Sequence, residues 1–113
     1  MTWPPPDVRY RYAREQLWLA LDELVSAENV RVRLFKAFVN HLHPLHRNNF
    51  PEDLYKMYEE VREAMSWVPV EREGEGTLAS TLRQMTEDEA QELALKLVKI
   101  LYELEHYEPP DQR

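Results

Sequence analysis

His41, His43 and His46 stand in the pattern H-x-H-x-x-H, with Asn40, Asn48, Asn49 and Glu52 close by in the chain. Imidazole is the commonest side-chain ligand of transition metals, and Glu52 would add a carboxylate oxygen, so the chemistry at stake is metal binding or metal-dependent hydrolysis. Spacing works against it. Residues two apart on a helix point about 200° apart around the axis, so one face cannot hold both His41 and His43 unless Pro44 distorts the turn. The plainer expectation is that these rings end a helix, where donors and partial positive charge suit unsatisfied carbonyls.

A second constellation is Arg9-Tyr10-Arg11-Tyr12-Ala13-Arg14, joined by Arg31, Arg33 and Lys36. Aromatics interleaved with positive charge are the make-up of single-strand nucleic-acid surfaces, which would place Arg9, Arg14, Arg31 and Arg33 on phosphates. The overall charge opposes this. The chain has 14 Lys and Arg against 21 Asp and Glu, a net charge of −7. Residues 1–50 are about +2 and residues 51–113 about −9. A net acidic protein repels phosphate backbones at long range, so nucleic acid is not the expected partner.

Other reactive patterns are incomplete. Glu59 and Glu63 are four apart and share a helix face, which is usual for a solvated surface. Di-metal bundles repeat a Glu-x-x-His pair on facing helices, whereas Glu103 and His106 supply it once. Ser66, Thr77, Ser80 and Thr81 lack a nucleophile elbow, and Gly74-Glu75-Gly76 lacks the strand that phosphate loops require. With no cysteine there is no thiolate, disulfide or Cys-based metal site. No catalytic residue and no cofactor are implied. The sequence thus points to a small non-catalytic accessory or regulatory protein acting by protein–protein contact, with self-association the simplest form. Trp3, Trp18, Trp67 and Tyr107 are the expected anchors, since large aromatics outside a small bundle's core favour interfaces.

The elements that must position these groups are helices. A chain of 113 residues with 43% apolar and 31% charged residues suits one compact domain with a genuine core. No window approaches the roughly 20 apolar residues of a membrane crossing, and Met1 to Asp7 lacks a signal-peptide plan, so a cytoplasmic protein is expected. After the Pro-rich lead of residues 1–7, Tyr10, Ala13, Leu17, Leu21 and Leu24 recur at helical steps, with Trp18, Ala20 and Val25 widening the stripe. Residues 26–29 favour a break. Val30, Leu34, Phe38 and Leu42 then mark a second helix stopping near His43, because Pro44 follows.

Pro51-Glu52-Asp53 is a strong start for a third helix, with Leu54, Tyr58, Val61, Met65 and Val68 as its stripe. Residues 69–77 read as a Glu- and Gly-rich loop, and residues 77–84 as a short helix. Thr86-Glu87-Asp88-Glu89 is a capping box opening a long helix along Ala90, Leu93, Ala94, Leu97, Leu101 and Leu104. Residues 108–113 read as a tail. The predicted fold is all-α, a single-domain bundle of four main helices plus a short fifth, packed around Leu17, Leu21, Phe38, Leu42, Leu54, Val61, Leu97 and Leu101.

The run from Glu75 to Ala90, with Phe50-Pro51-Glu52-Asp53-Leu54 upstream, resembles a run in short bacterial all-helical proteins of unassigned activity. The resemblance covers about half the chain, implies a bacterial helical protein and transfers no site.

Overall fold

The computed structural model describes residues 10–66 and 76–107. Among them are five α-helices and no strand: α1 Arg11–Leu24, α2 Val30–Ala37, α3 Glu52–Ala64, α4 Thr77–Gln84 and α5 Glu87–Glu105. The fold is all-α, as the apolar spacing requires. The Pro-rich lead, most of the 69–77 loop and the tail, with Trp3, Arg9 and Trp67, lie outside the described residues.

The long helix α5 is the centre of the bundle. Its buried positions Ala90, Leu93, Ala94, Leu97, Ile100, Leu101 and Leu104 cover more than one narrow stripe, and it packs against α1, α2 and α3. Its start is fixed chemically: Thr86 Oγ1 accepts from Glu89 N at 3.1 Å, and Glu89 Oε1 accepts from Thr86 N at 3.0 Å. These bonds to the charged form, the backbone one foremost, hold the Glu89 carboxyl below its ordinary range.

In α1, Ala13, Leu17, Ala20 and Leu24 are buried at steps of four, three and four. The helix ends at Leu24, and Asn29 Oδ1 caps α2 by accepting from Arg31 N at 2.9 Å. Arg33 closes the corner, donating to Leu24 O at 2.5 Å and Glu28 O at 2.8 Å. One carbonyl left over at the end of α1 and one in the turn before α2 are thereby satisfied.

The second helix does not run to His43 as a regular α-helix. After Ala37 it widens into a π turn, Phe38–Leu42, in which His43 N donates to Phe38 O at 2.9 Å. Pro44 supplies no N–H to continue the ladder, and Leu45 N instead closes a tighter turn on Leu42 O at 3.0 Å. The third helix adds side-chain donors from one face. The fully buried Tyr58 donates its hydroxyl to Leu42 O at 2.7 Å, and Arg62, one turn on, donates to Leu45 O at 3.1 Å. Burial pushes the Tyr58 phenol well above its ordinary value, so it stays a donor. Phe38 and Phe50 stack on the two sides of that ring, with centroids at 6.3 and 4.9 Å.

Candidate functional site

The π turn is the distortion that could have gathered the histidines, and it does not gather them. His41 turns toward α1, with Nε2 3.6 Å from Glu23 Oε1. His43 lines a cavity against α3 and α4. His46 accepts from Asn48 N at 3.3 Å and so starts a short 3-10 turn, Arg47–Asn49. Glu52 pairs with Arg47 at 3.5 Å instead of with any imidazole. Among the described residues, no three His, Cys, Asp or Glu side chains stand close enough to hold a metal ion. The metal set His41, His43, His46 and Glu52 is therefore not assembled, because each ring serves a different local contact.

The arginine surface is also dispersed. Arg31 donates to Met85 O and Asn29 Oδ1, both at 3.3 Å, while Arg33, two residues on, faces the opposite way to seal the α1–α2 corner. Lys36 sits on the Arg33 side, 2.7 Å from Glu28, whose carboxylate raises the lysine's affinity for its proton. Arg14 lies on α1, half-buried. Arg31 and Arg33 thus act as fasteners of backbone carbonyls on different sides of α2.

Of the expected aromatic anchors, Tyr107 is partly buried, its ring edge-on to Tyr10 with centroids 5.8 Å apart. Trp18 behaves differently. It is 52% exposed, and its indole Nε1 donates to Glu105 Oε1 at 2.7 Å, which ties α1 to α5 and fixes the ring at the surface. Trp18, Leu21 and Val25 recur at three and four on one flank of α1, and Leu95, Val98 and Tyr102 do so on one flank of α5. Leu21 and Val98 line the same crevice between the two helices, so the flanks adjoin. Val25 is 71% exposed, Leu95 59% and Tyr102 60%. Here Trp18 and Val25 form an outer apolar face, where the sequence pattern had them widening the core.

The sequence pattern missed a second surface. The helices α2 and α4 run antiparallel, and between them lies a groove of about 570 Å³ with Val32, Phe35, Ala79 and Leu82 along it and Arg31 and Arg83 at its edges. A neighbouring cavity of about 360 Å³ carries Phe38, Val39 and Leu78 with His43, Arg62 and Ser66. The clue was available in composition: residues 30–37 and 77–84 hold three and one basic residues, with no Asp or Glu, inside a chain of charge −7.

No helix among the described residues is long and apolar enough to cross a membrane. Compared with known proteins, the chain matches no protein family, no curated protein and no solved structure.

Proposed function

We propose that this chain is a non-catalytic accessory or regulatory protein that acts by protein–protein contact, and that the α1–α5 face is where it meets a second copy of itself. The observation that carries the reading is the adjoining pair of apolar stripes, exposed Trp18 and Val25 either side of the half-buried Leu21, beside exposed Leu95, Val98 and Tyr102. Contiguous apolar surface rimmed by polar residues is the usual mark of an interaction site, whereas single exposed apolar residues are not. Trp18 supplies a large anchor already held in place by Glu105, so little side-chain freedom is lost on docking. Two antiparallel helices present a surface that can complement itself under twofold symmetry, the commonest way in which soluble chains pair.

The polar groups support the non-catalytic part. Tyr58, the phenol most strongly perturbed among the described residues, is buried and spends its proton on a backbone carbonyl. Perturbed groups at reactive centres face a cleft where a substrate can reach them, and this one does not.

Light scattering across a concentration series tests the proposal. The expected result is a mass that rises from one chain toward two, with Leu95→Lys returning it to one. A mass of one chain at every concentration, unchanged by Leu95→Lys, would remove self-association as the function of this face.

A further inference from the structure

The groove between α2 and α4 differs in shape and charge from the α1–α5 face and is separate from it. Val32, Phe35 and Val39 form a stripe along the outer side of α2, at steps of three and four, and each remains about 40% exposed. Val32 and Phe35 line the larger cavity and Val39 the smaller, while α4 contributes Ala79 and Leu82 to one and Leu78 to the other. The two cavities follow one another along α2, a largely apolar trough in two parts. From Val32 to Val39 it spans seven residues, about 10 Å at helical rise, or two turns of an opposing helix.

Charge identifies what fits. Arg31 and Arg83 stand at one cavity and His43 and Arg62 at the other, and among the described residues neither is lined by an Asp or Glu. Glu87, near the Arg31 end, is held by the Asn29 amide at 2.5 Å. Arg31 commits two of the five N–H donors of a guanidinium, to Asn29 and Met85, and Arg62 donates to Leu45. Their backbone contacts hold these cations at the rim, so an incoming carboxylate meets positioned charge. In a protein with 21 acidic and 14 basic residues, a trough lined among the described residues by three arginines and by no Asp or Glu is a local inversion of the surface.

We propose that this trough is the docking site for an amphipathic helix of a different protein, one with apolar residues at i, i+3 or i+4 and i+7 and with Glu or Asp flanking that stripe. Apolar anchors enter beside Phe35 and Leu82, and the flanking carboxylates meet Arg31, Arg83 and Arg62. This is helix-in-groove recognition, with electrostatic complementarity setting orientation and speed of association. The chain's own net charge of −7 attracts no acidic partner at long range, so selectivity rests on this local patch.

The test is selection from a displayed library of 16-residue helical peptides, with apolar residues fixed at i, i+4 and i+7 and flanking positions varied among Glu, Gln and Lys, on the immobilised full chain. The expected outcome is enrichment of Glu-flanked peptides whose binding weakens as salt is raised. Phe35→Glu and Arg83→Glu, both at the protein's surface or its edge, should each weaken a selected peptide at least tenfold while the circular dichroism spectrum stays helical. Leu95→Lys should leave that binding intact, which separates this site from the self-association face. Enrichment of Lys-flanked or neutral peptides, no enrichment at all, or peptide binding indifferent to Phe35→Glu and Arg83→Glu would each overturn the proposal. So would a selected peptide that competes only with self-association.

Discussion

The α1–α5 face and the α2–α4 trough are built from the same kind of residue, apolar side chains left about half exposed on a helix flank, yet they suit different occupants. On the first, the two helices pack closely enough that Leu21 and Val98 meet between them, and the surface is broad, apolar and anchored by one tryptophan. On the second, α2 and α4 leave a trough, and the charged side chains that line it among the described residues are Arg31, Arg62 and Arg83. The difference teaches that exposure alone does not name a partner. Relief and the sign of nearby charge decide whether a surface complements itself or something else.

The strongest way to break the comparison is to charge one face only. Leu95→Lys with Tyr102→Lys places two cations where one aliphatic chain and one aromatic ring would meet a second copy, and self-association should weaken about a hundredfold, roughly 2.7 kcal/mol. Sedimentation equilibrium measures this, and peptide binding in the trough should be unaltered. An equal loss in both assays would mean that the two surfaces are one system.

A sharper probe of the trough is the charge on its rim. Arg83→Lys keeps a cation but loses the planar fork, and should weaken the selected acidic peptide about threefold, with Arg83→Glu costing tenfold or more, on the general scale of charged interfacial contacts. Fluorescence anisotropy of the labelled peptide reads both. Indifference to the sign of residue 83 would reduce the trough to an apolar recess.

The Pro44 break underlies both surfaces, because it sets where α2 ends and α3 begins. Tyr58→Phe removes the phenol proton from Leu42 O, which retains the Leu45 N–H at 3.0 Å. The expected loss is about 1 kcal/mol of stability, or roughly 4–8 °C in melting temperature, with both binding reactions preserved in the folded protein. A melting curve unchanged by Tyr58→Phe would show that the clamp adds nothing beyond packing.

The smallest effect concerns the start of α5, which serves both surfaces equally. Because hydrogen bonding lowers the folded value of Glu89, its stabilisation is complete above the ordinary carboxyl value of 4.5 and fades as pH falls through the lower folded one. Glu89→Gln keeps a side-chain acceptor without a titrating charge. Its melting temperature should therefore drop slightly less than the parent's between pH 6 and pH 3, as followed by circular dichroism.

Much of the fold was legible because local rules govern it. The Thr86–Glu89 capping box, the Thr77–Gln84 helix and the start of α3 after Pro51 each depend on residues within one turn, and the structure has all three. The core positions Leu17, Phe38, Leu42, Leu54, Val61, Leu97 and Leu101 are buried, and Leu21 partly so, since helical spacing fixes which face turns inward. What spacing cannot fix is how wide a face the neighbours cover. Trp18 and Val25 look like a widened core stripe in sequence, and they are exposed because α1 has no further helix over that flank among the described residues. Likewise Pro44 announces the end of a hydrogen-bond ladder without saying that the last turn becomes a π turn or that Tyr58 and Arg62 donate to Leu42 O and Leu45 O. The trough was hidden for a different reason. Its walls come from segments more than 40 residues apart, Val32 and Phe35 against Ala79 and Leu82, which only tertiary packing brings together.

The central claim is that two copies meet through the Trp18 side of α1 and the Tyr102 side of α5. Mixing isotope-labelled with unlabelled chain and recording isotope-filtered nuclear Overhauser spectra tests it directly. The expected result is intermolecular contacts from the Trp18 indole to Leu95 or Tyr102 of the other copy. Intermolecular contacts that start instead from Phe35 or Val39, or none at concentrations where the mass has doubled, would contradict it.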